Sequence, residues 1–358
     1  MPTCCAAGWT VSNGCISALT VRACSWICWC GRGNMRTVLC TARCRRFWRM
    51  APGCRRVSTS PVWRVPTSSV AASAASLPYF MRGGHAAHFA NIRQNAPCFS
   101  QEFPPTFMAY AETQSMFCDS LLDDADWLKR YAVNSHSEAV PDALIRAAIA
   151  ARKPMRAFNE LHILLVPYFE WSLYQWDDAQ LTPEAITRLS RENEQRILGI
   201  DGSPRPTLAI PHLLSQDSAC SYQGYLLALM AVEQTRHFFL QRDGYLTDNP
   251  AIGPSLAQHY WQPGNSVSHD ATLVSLTGEG FNPAYLAAAC SQTVEQAWRQ
   301  AQDCMTQARA RPQPPADFPW QADIYVVDGD AILASNAQGD EAMCRQFAQA
   351  IQQRYGQA

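Results

Sequence analysis

From residue 83 onward, apolar and polar positions follow the period of an α-helix, in blocks bounded by Pro, Gly and Asn. Ser76 and Pro78 suit the start of a first helix, GGHAAHFANIRQ continues it to Arg93, and Asn95-Ala96-Pro97 ends it. After Pro104-Pro105 the run TFMAYAETQSMFCDSLL predicts a second helix, with Glu112, Ser115 and Asp119 forming a polar strip along one side. A carboxylate placed in such apolar company needs a partner. Helical spacing returns in DADWLKRYA, in ALIRAAIAARKPMRAFNELHILLVPYFEWSLYQW and in PEAITRLSRENEQRIL. It predicts a long helix from His212 to Arg242 closed by Gly244, and two more in EGFNPAYLAAACSQTVEQAWRQAQDCMTQARA. Strand signals are scarce. ADIYVVDGDAILASN reads as a tight hairpin turning at Asp328-Gly329, and DEAMCRQFAQAIQQRYG closes the chain as a helix. The expected fold is mainly α, with a small C-terminal β-hairpin plus helix.

Composition divides this chain in a way its averages conceal. The 358 residues are 47% hydrophobic with a net charge of -1, values of an ordinary soluble protein. Residues 1–101, however, hold twelve arginines and no acid, a charge of +12, while the remaining seventeen basic and thirty acidic residues give -13. Nine of the fifteen cysteines lie before residue 55. The expected organisation is therefore an anomalous Cys/Arg/Trp-rich segment over 1–82, a helical domain over 83–310, a Pro-rich linker over 311–320 and a hairpin-helix element over 321–358.

Four readings compete for residues 1–82. A transit peptide is Arg-rich and acid-poor, but clusters such as CSWICWC do not divide into one polar and one apolar helix face. A disulfide scaffold calls for a secretory signal, and MPTCCAAGWT has neither a basic start nor an apolar core region. A zinc or nucleic-acid module would draw on Cys28, Cys30, Cys40, Cys44 and Cys54 among their arginines, yet the C-x-C and C-x3-C spacings do not repeat. Translation in a wrong reading frame removes acids and enriches Arg, Cys, Trp and Ser together, with no selected apolar period. It fits best, and on that reading the segment does not fold.

The candidate chemistry sits at the edge of this segment, in MRGGHAAH, residues 81–88. Two histidines at i and i+4 of a helix project from one face and can share a zinc ion, while a glutamate beside the first takes a proton from metal-bound water. Here only the second histidine, His85, is present. Met81 and Arg82 stand where the first histidine and the glutamate belong. Methionine is a poor zinc ligand beside histidine, and an arginine can neither ligate nor act as a base.

GGHAAHFANI, the glutamate of AYAETQSMF, PHLLSQDSACSYQGYLLALMAVEQTRHFF and YWQPGNSVSHDATLVSLTGEGFNPAYLAAA together resemble, in order and spacing, the catalytic core of the thimet oligopeptidase and oligopeptidase F family of zinc metallopeptidases. The resemblance covers about residues 83–300 and implies a multi-helical, zincin-like metallopeptidase catalytic domain, with a further N-terminal part supplying the other wall of a substrate channel. It implies His85 and Glu112 as metal ligands, 27 residues apart, Tyr225 and Tyr222 as the groups that hydrogen-bond the oxyanion of the reaction, and His212 as the catalytic-site histidine upstream of them. His88 falls at a position that is not a ligand in the family. The expected activity is zinc-dependent hydrolysis of short peptides, with Zn2+ held weakly or not at all because of Met81 and Arg82.

A different class, a non-catalytic binding protein that keeps the peptide groove, stays open, as does a third, a Cys/Arg-rich nucleic-acid or zinc module fused to a helical domain. The charge of -13 from residue 102 onward disfavours nucleic acid, and the apolar runs fall short of the ~20 residues a membrane span needs. Isolated later cysteines suit reduced thiols in a cytoplasm. The expected partners are short peptides, and the pattern carries no sign of oligomeric state.

Overall fold

The computed structural model describes residues 25–31, 57–60, 80–81, 83–94, 101–102, 104–132, 138–203, 205–215, 218–311 and 322–355. Phe80 and Met81 are helical, and helix α1 covers residues 83–91. Then follow α2 (Met108–Ser120), α3 (Ala125–Tyr131), α4 (Asp142–Arg152), α5 (Arg156–Leu173), α6 (Pro183–Leu198) and α7 (Gln223–Asp243). The series continues through α8 (Ile252–Leu256), α9 (His269–Thr277), α10 (Ala284–Ser291) and α11 (Val294–Ala310). The chain is mainly helical, as its periodicity predicts.

Local chemistry sets many of the boundaries. Thr182 caps α6 by accepting the Ala185 N–H, with Pro183 in the first turn where no partner is needed for its missing N–H. Thr293 and Gln296 form a reciprocal capping box at the start of α11. The long apolar run from 143 to 176 is two helices, because the turn Lys153–Met155, with Pro154 inside it, interrupts the α ladder. The helix expected from His212 to Arg242 begins only at Gln223 and ends at Gly244. Pro211–Leu214 forms a 3-10 turn, and Cys220 takes a left-handed conformation (φ 57) that an α-helix cannot absorb. His212 therefore sits on a turn that faces the start of α7.

In helix α7 the buried Ala231, Val232 and Phe239 join Ala87 of α1, Phe117 of α2, Leu256 of α8 and Leu273 of α9 in the largest core cluster. Past α8 the backbone widens into a π-turn, Ala257–Trp261, which turns Tyr260 and Trp261 inward. There the Trp261 indole donates to Gln114 Oε1 at 2.9 Å and the Tyr110 hydroxyl donates to the Tyr260 carbonyl, fixing the inner side of α2. A second cluster joins α3, α4 and α11 through Ala125, Ile145, Ala301 and Met305.

Strands β1 (Ser25–Gly31), β2 (Val57–Ser60), β3 (Ala322–Asp328) and β4 (Ala331–Ser335) form an antiparallel sheet in the order β2-β1-β3-β4. The expected hairpin is the β3–β4 pair, closed at Asp328↔Ala331 across a turn that includes Gly329. Helix α12 (Asp340–Tyr355) covers it, with Met343 against Ile324, Val326 and Ala334. Apart from β1, β2, Phe80 and Met81, the Cys/Arg-rich segment lies outside the described residues, as does the Pro-rich linker beyond Arg311. Among the described residues no helix is long and apolar enough to cross a membrane.

Candidate functional site

Two glycines bring three helices together. A Cβ on Gly84 would lie 2.8 Å from the Cα of Ser115 and against the Gln114 carbonyl, so only glycine lets α1 rest on the backbone of α2. A Cβ on Gly224 would lie 2.7 Å from the Met108 methyl and 3.3 Å from the Ala109 nitrogen, so α7 packs closely on the first turn of α2, chiefly against a flexible side chain. The residues following these glycines, His85 and Tyr225, are thereby carried toward Glu112.

His85 Nε2 lies 3.8 Å from Glu112 Oε2, and the two side chains are only 17% and 13% exposed. Ser115 donates to Glu112 Oε2 at 3.0 Å, the partner one turn along the polar strip of α2. Burial nonetheless pushes the Glu112 carboxyl up to about 7, because the Ser115 bond offsets the cost only in part and the Glu102 charge adds to it. The Tyr225 hydroxyl is also pushed up, first by burial and then by the negative charge of Glu112, which sets the two groups in one electrostatic environment. At neutral pH this hydroxyl keeps its proton and remains a hydrogen-bond donor.

His212 Nε2 is 3.2 Å from the Tyr225 hydroxyl, and its ring stands edge-on to Tyr222 at 4.9 Å. The Tyr222 and Tyr225 rings meet at 5.2 Å. Burial, followed by the charge of Arg205, lowers the His212 pKa and favours the neutral ring. All five residues singled out in the sequence, His85, Glu112, His212, Tyr222 and Tyr225, thus fall around α2 and the start of α7.

Two features were not visible in the sequence. Glu102 raises both Glu112 and Tyr225 by its charge, and its own carboxyl is raised by burial. No periodicity marks it, since it lies in a turn. The other is a pair of buried imidazoles: His88 and His269 both stand edge-on to the ring of Tyr110, at 4.8 and 5.6 Å. His88 is fully buried and His269 is 1% exposed, and burial lowers each to about 3. His269 makes a 3.3 Å contact with Thr113 Oγ1.

Zinc does not fit the donors present. A catalytic zinc takes three protein ligands, and here His85 and Glu112 supply two. Met81 is helical and half-buried one turn before His85, and Arg82 lies outside the described residues. Among the described residues no group of three or more His, Cys, Asp or Glu could hold a metal ion.

No family model matches the chain, and no curated protein matches it. Among solved structures it is similar to a protein named BsuCP, at 19% identity and a TM-score of 0.49 over 63% of this chain and 48% of that one. It is similar to metallocarboxypeptidase 1 of Trypanosoma cruzi at 18% identity and 0.49, over 62% and 49%. An M32 carboxypeptidase from Deinococcus radiodurans R1 follows at 13% and 0.45, over 66% and 50%. The chain spans about half the length of the structures it matches.

Proposed function

We propose that residues 83–310 are the catalytic portion of a zinc oligopeptidase acting on short peptides, impaired in this chain at its metal centre. The single observation that carries this reading is the 3.8 Å approach of His85 Nε2 to Glu112 Oε2, in a half-buried place whose charge also acts on the Tyr225 hydroxyl. A lone carboxylate costs free energy in such surroundings, and a cation shared with the imidazole offsets that cost.

The chain's own groups suit peptide handling. Tyr225, protonated and backed by His212, donates to a peptide carbonyl oxygen and holds it more strongly as charge builds there. Glu112, titrating near 7, accepts from a peptide N–H or amine. With two donors and no carboxylate at position 82, the general-base step of a metallopeptidase has no residue to perform it.

A second reading, a non-catalytic peptide binder, is favoured by that same missing donor, since Tyr225, Tyr222 and His212 are in place without it. Zinc analysis and cleavage of a short fluorogenic peptide, on the parent and on the Met81→His, Arg82→Glu variant, separate the two. Zinc uptake with new cleavage in the variant supports an impaired peptidase; peptide binding with no zinc in either protein supports the binder. Absence of zinc, cleavage and peptide binding in the variant would sink both. We place the protein in the cytoplasm on its isolated later cysteines, a proposal that localisation of the tagged full chain tests.

A further inference from the structure

We infer that Glu170 is a positioning residue for the His212–Tyr225 pair, holding the loop between the two through the N–H of Cys220. Its part in a reaction rests on the proposed function; its hold on the pair does not.

Glu170 lies on α5, is 4% exposed, and accepts the Cys220 N–H on Oε1 at 2.8 Å. Its other oxygen, Oε2, is buried and meets no hydrogen-bond donor among the described residues. Burial raises the Glu170 carboxyl above the usual carboxylate range, and the Cys220 N–H offsets this only in part. For stability alone an apolar side chain would serve this place as well or better. What the carboxylate adds is an acceptor at one point of a distant loop.

That point is the bend on which the pair depends. Cys220 stands at φ 57, a conformation that costs a residue with a side chain free energy, and a bond to its N–H stabilises the bend. Before the bend, the Ser218 and Ala219 N–H groups donate to the Ser215 carbonyl, and the Ser215 N–H donates to the His212 carbonyl. After it, the Gly224 N–H donates to the Ser221 carbonyl and the Tyr225 N–H to the Tyr222 carbonyl, opening α7. One turn before Glu170 on the same helix, Val166 packs with Ile210 and Tyr222, with Leu213 and Tyr225 against them. Helix α5 therefore holds this segment twice, by an apolar floor under its rings and by one carboxylate at its bend.

The test begins with the full chain as it stands, where the Cys220 amide is expected to exchange about tenfold or more slowly than in an unstructured peptide. Exchange at the peptide rate overturns the inference. Glu170→Leu then removes the acceptor without leaving a cavity, and Glu170→Gln keeps an oxygen in its place. The His212 imidazole, labelled with 15N and identified by its loss in His212→Asn, titrates below the ordinary 6.5 in the parent through burial and the Arg205 charge. It is expected to move up toward 6.5 in Glu170→Leu and to keep the parent value in Glu170→Gln. A lower melting temperature with an unmoved His212 signal would show a merely structural carboxylate and overturns the assignment; Glu170→Ala gives the same reading if Glu170→Leu does not fold. In the Met81→His, Arg82→Glu background, Glu170→Leu is expected to lower kcat about tenfold with KM and zinc content unchanged, and to add nothing once Tyr225 is replaced by Phe. Additive losses overturn a role through Tyr225. If that background cleaves no peptide, the proposed function fails, while Cys220 exchange and the His212 signal still decide whether Glu170 holds the pair.

Discussion

His212 Nε2 lies 3.2 Å from the hydroxyl of Tyr225, across a loop whose Cys220 adopts φ 57. The pair belongs to two elements, a 3-10 turn and the first turn of α7, and the left-handed residue between them folds the turn back over the helix. The neutral histidine ring and the protonated phenol make a donor that feels the Glu112 charge.

If this donor meets an oxyanion, Tyr225→Phe in the Met81→His, Arg82→Glu background lowers kcat about 100-fold or more with zinc content unchanged. Steady-state kinetics on a short peptide reads it, and an unaltered kcat would remove Tyr225 from the chemistry.

The two glycine contacts differ in what a methyl would strike. Gly84→Ala meets the backbone of Gln114 and Ser115, which cannot move without shifting α2, and is expected to cost about 1–3 kcal/mol. Gly224→Ala chiefly meets the flexible end of Met108, and is expected to cost less. Urea denaturation of both variants gives the order; equal costs would contradict the close approach at Gly84.

Acid should destabilise the fold through its buried histidines. A folded-state value of about 3 for His269 against an ordinary 6.5 means that the unfolded chain binds the proton first. Its contribution is fully present above pH 6.5 and is lost as pH falls from 6.5 toward 3, at about 1.4 kcal/mol per pH unit. His269→Phe is therefore expected to narrow the stability difference between pH 7 and pH 4.5 by about 2–3 kcal/mol. Glu112, Asp119 and Asp124, raised by burial to about 7, 7 and 6, act in the opposite sense and lose stability as pH rises through that range. For this reason the test compares variant with parent at each pH. A difference independent of pH would mean that His269 is not held neutral.

Glu194 is 3% exposed and accepts three hydrogen bonds, from the Ser203 and Thr207 N–H groups and from the Thr207 hydroxyl. Its carboxylate ties down the segment that leads to Ile210 and His212. Glu194→Ala leaves those donors without their acceptor and is expected to cost about 2–4 kcal/mol, with faster amide exchange at Ser203 and Thr207. Parent-like exchange there would show the segment to be held by other means.

Sequence by itself determined the helical class, the β3–β4 hairpin at Gly329 and the end of α7 at Gly244, and it supplied the candidate residues of the proposed site. Each follows from local causes: a 3.6-residue apolar period, a helix stop, a turn residue, a motif spacing. Only the tertiary structure decided that His212 leaves the helix predicted for it, that His85 comes within 3.8 Å of Glu112 and that Tyr225 feels the Glu112 charge. It also decided that Glu102 joins them while His88 and His269 are held neutral beside Tyr110. Those outcomes depend on close approach between segments far apart in the chain, permitted where Gly84 and Gly224 lack a side chain and favoured by burial. Spacing along a sequence registers neither distance across a core nor the free-energy cost of a charge within it.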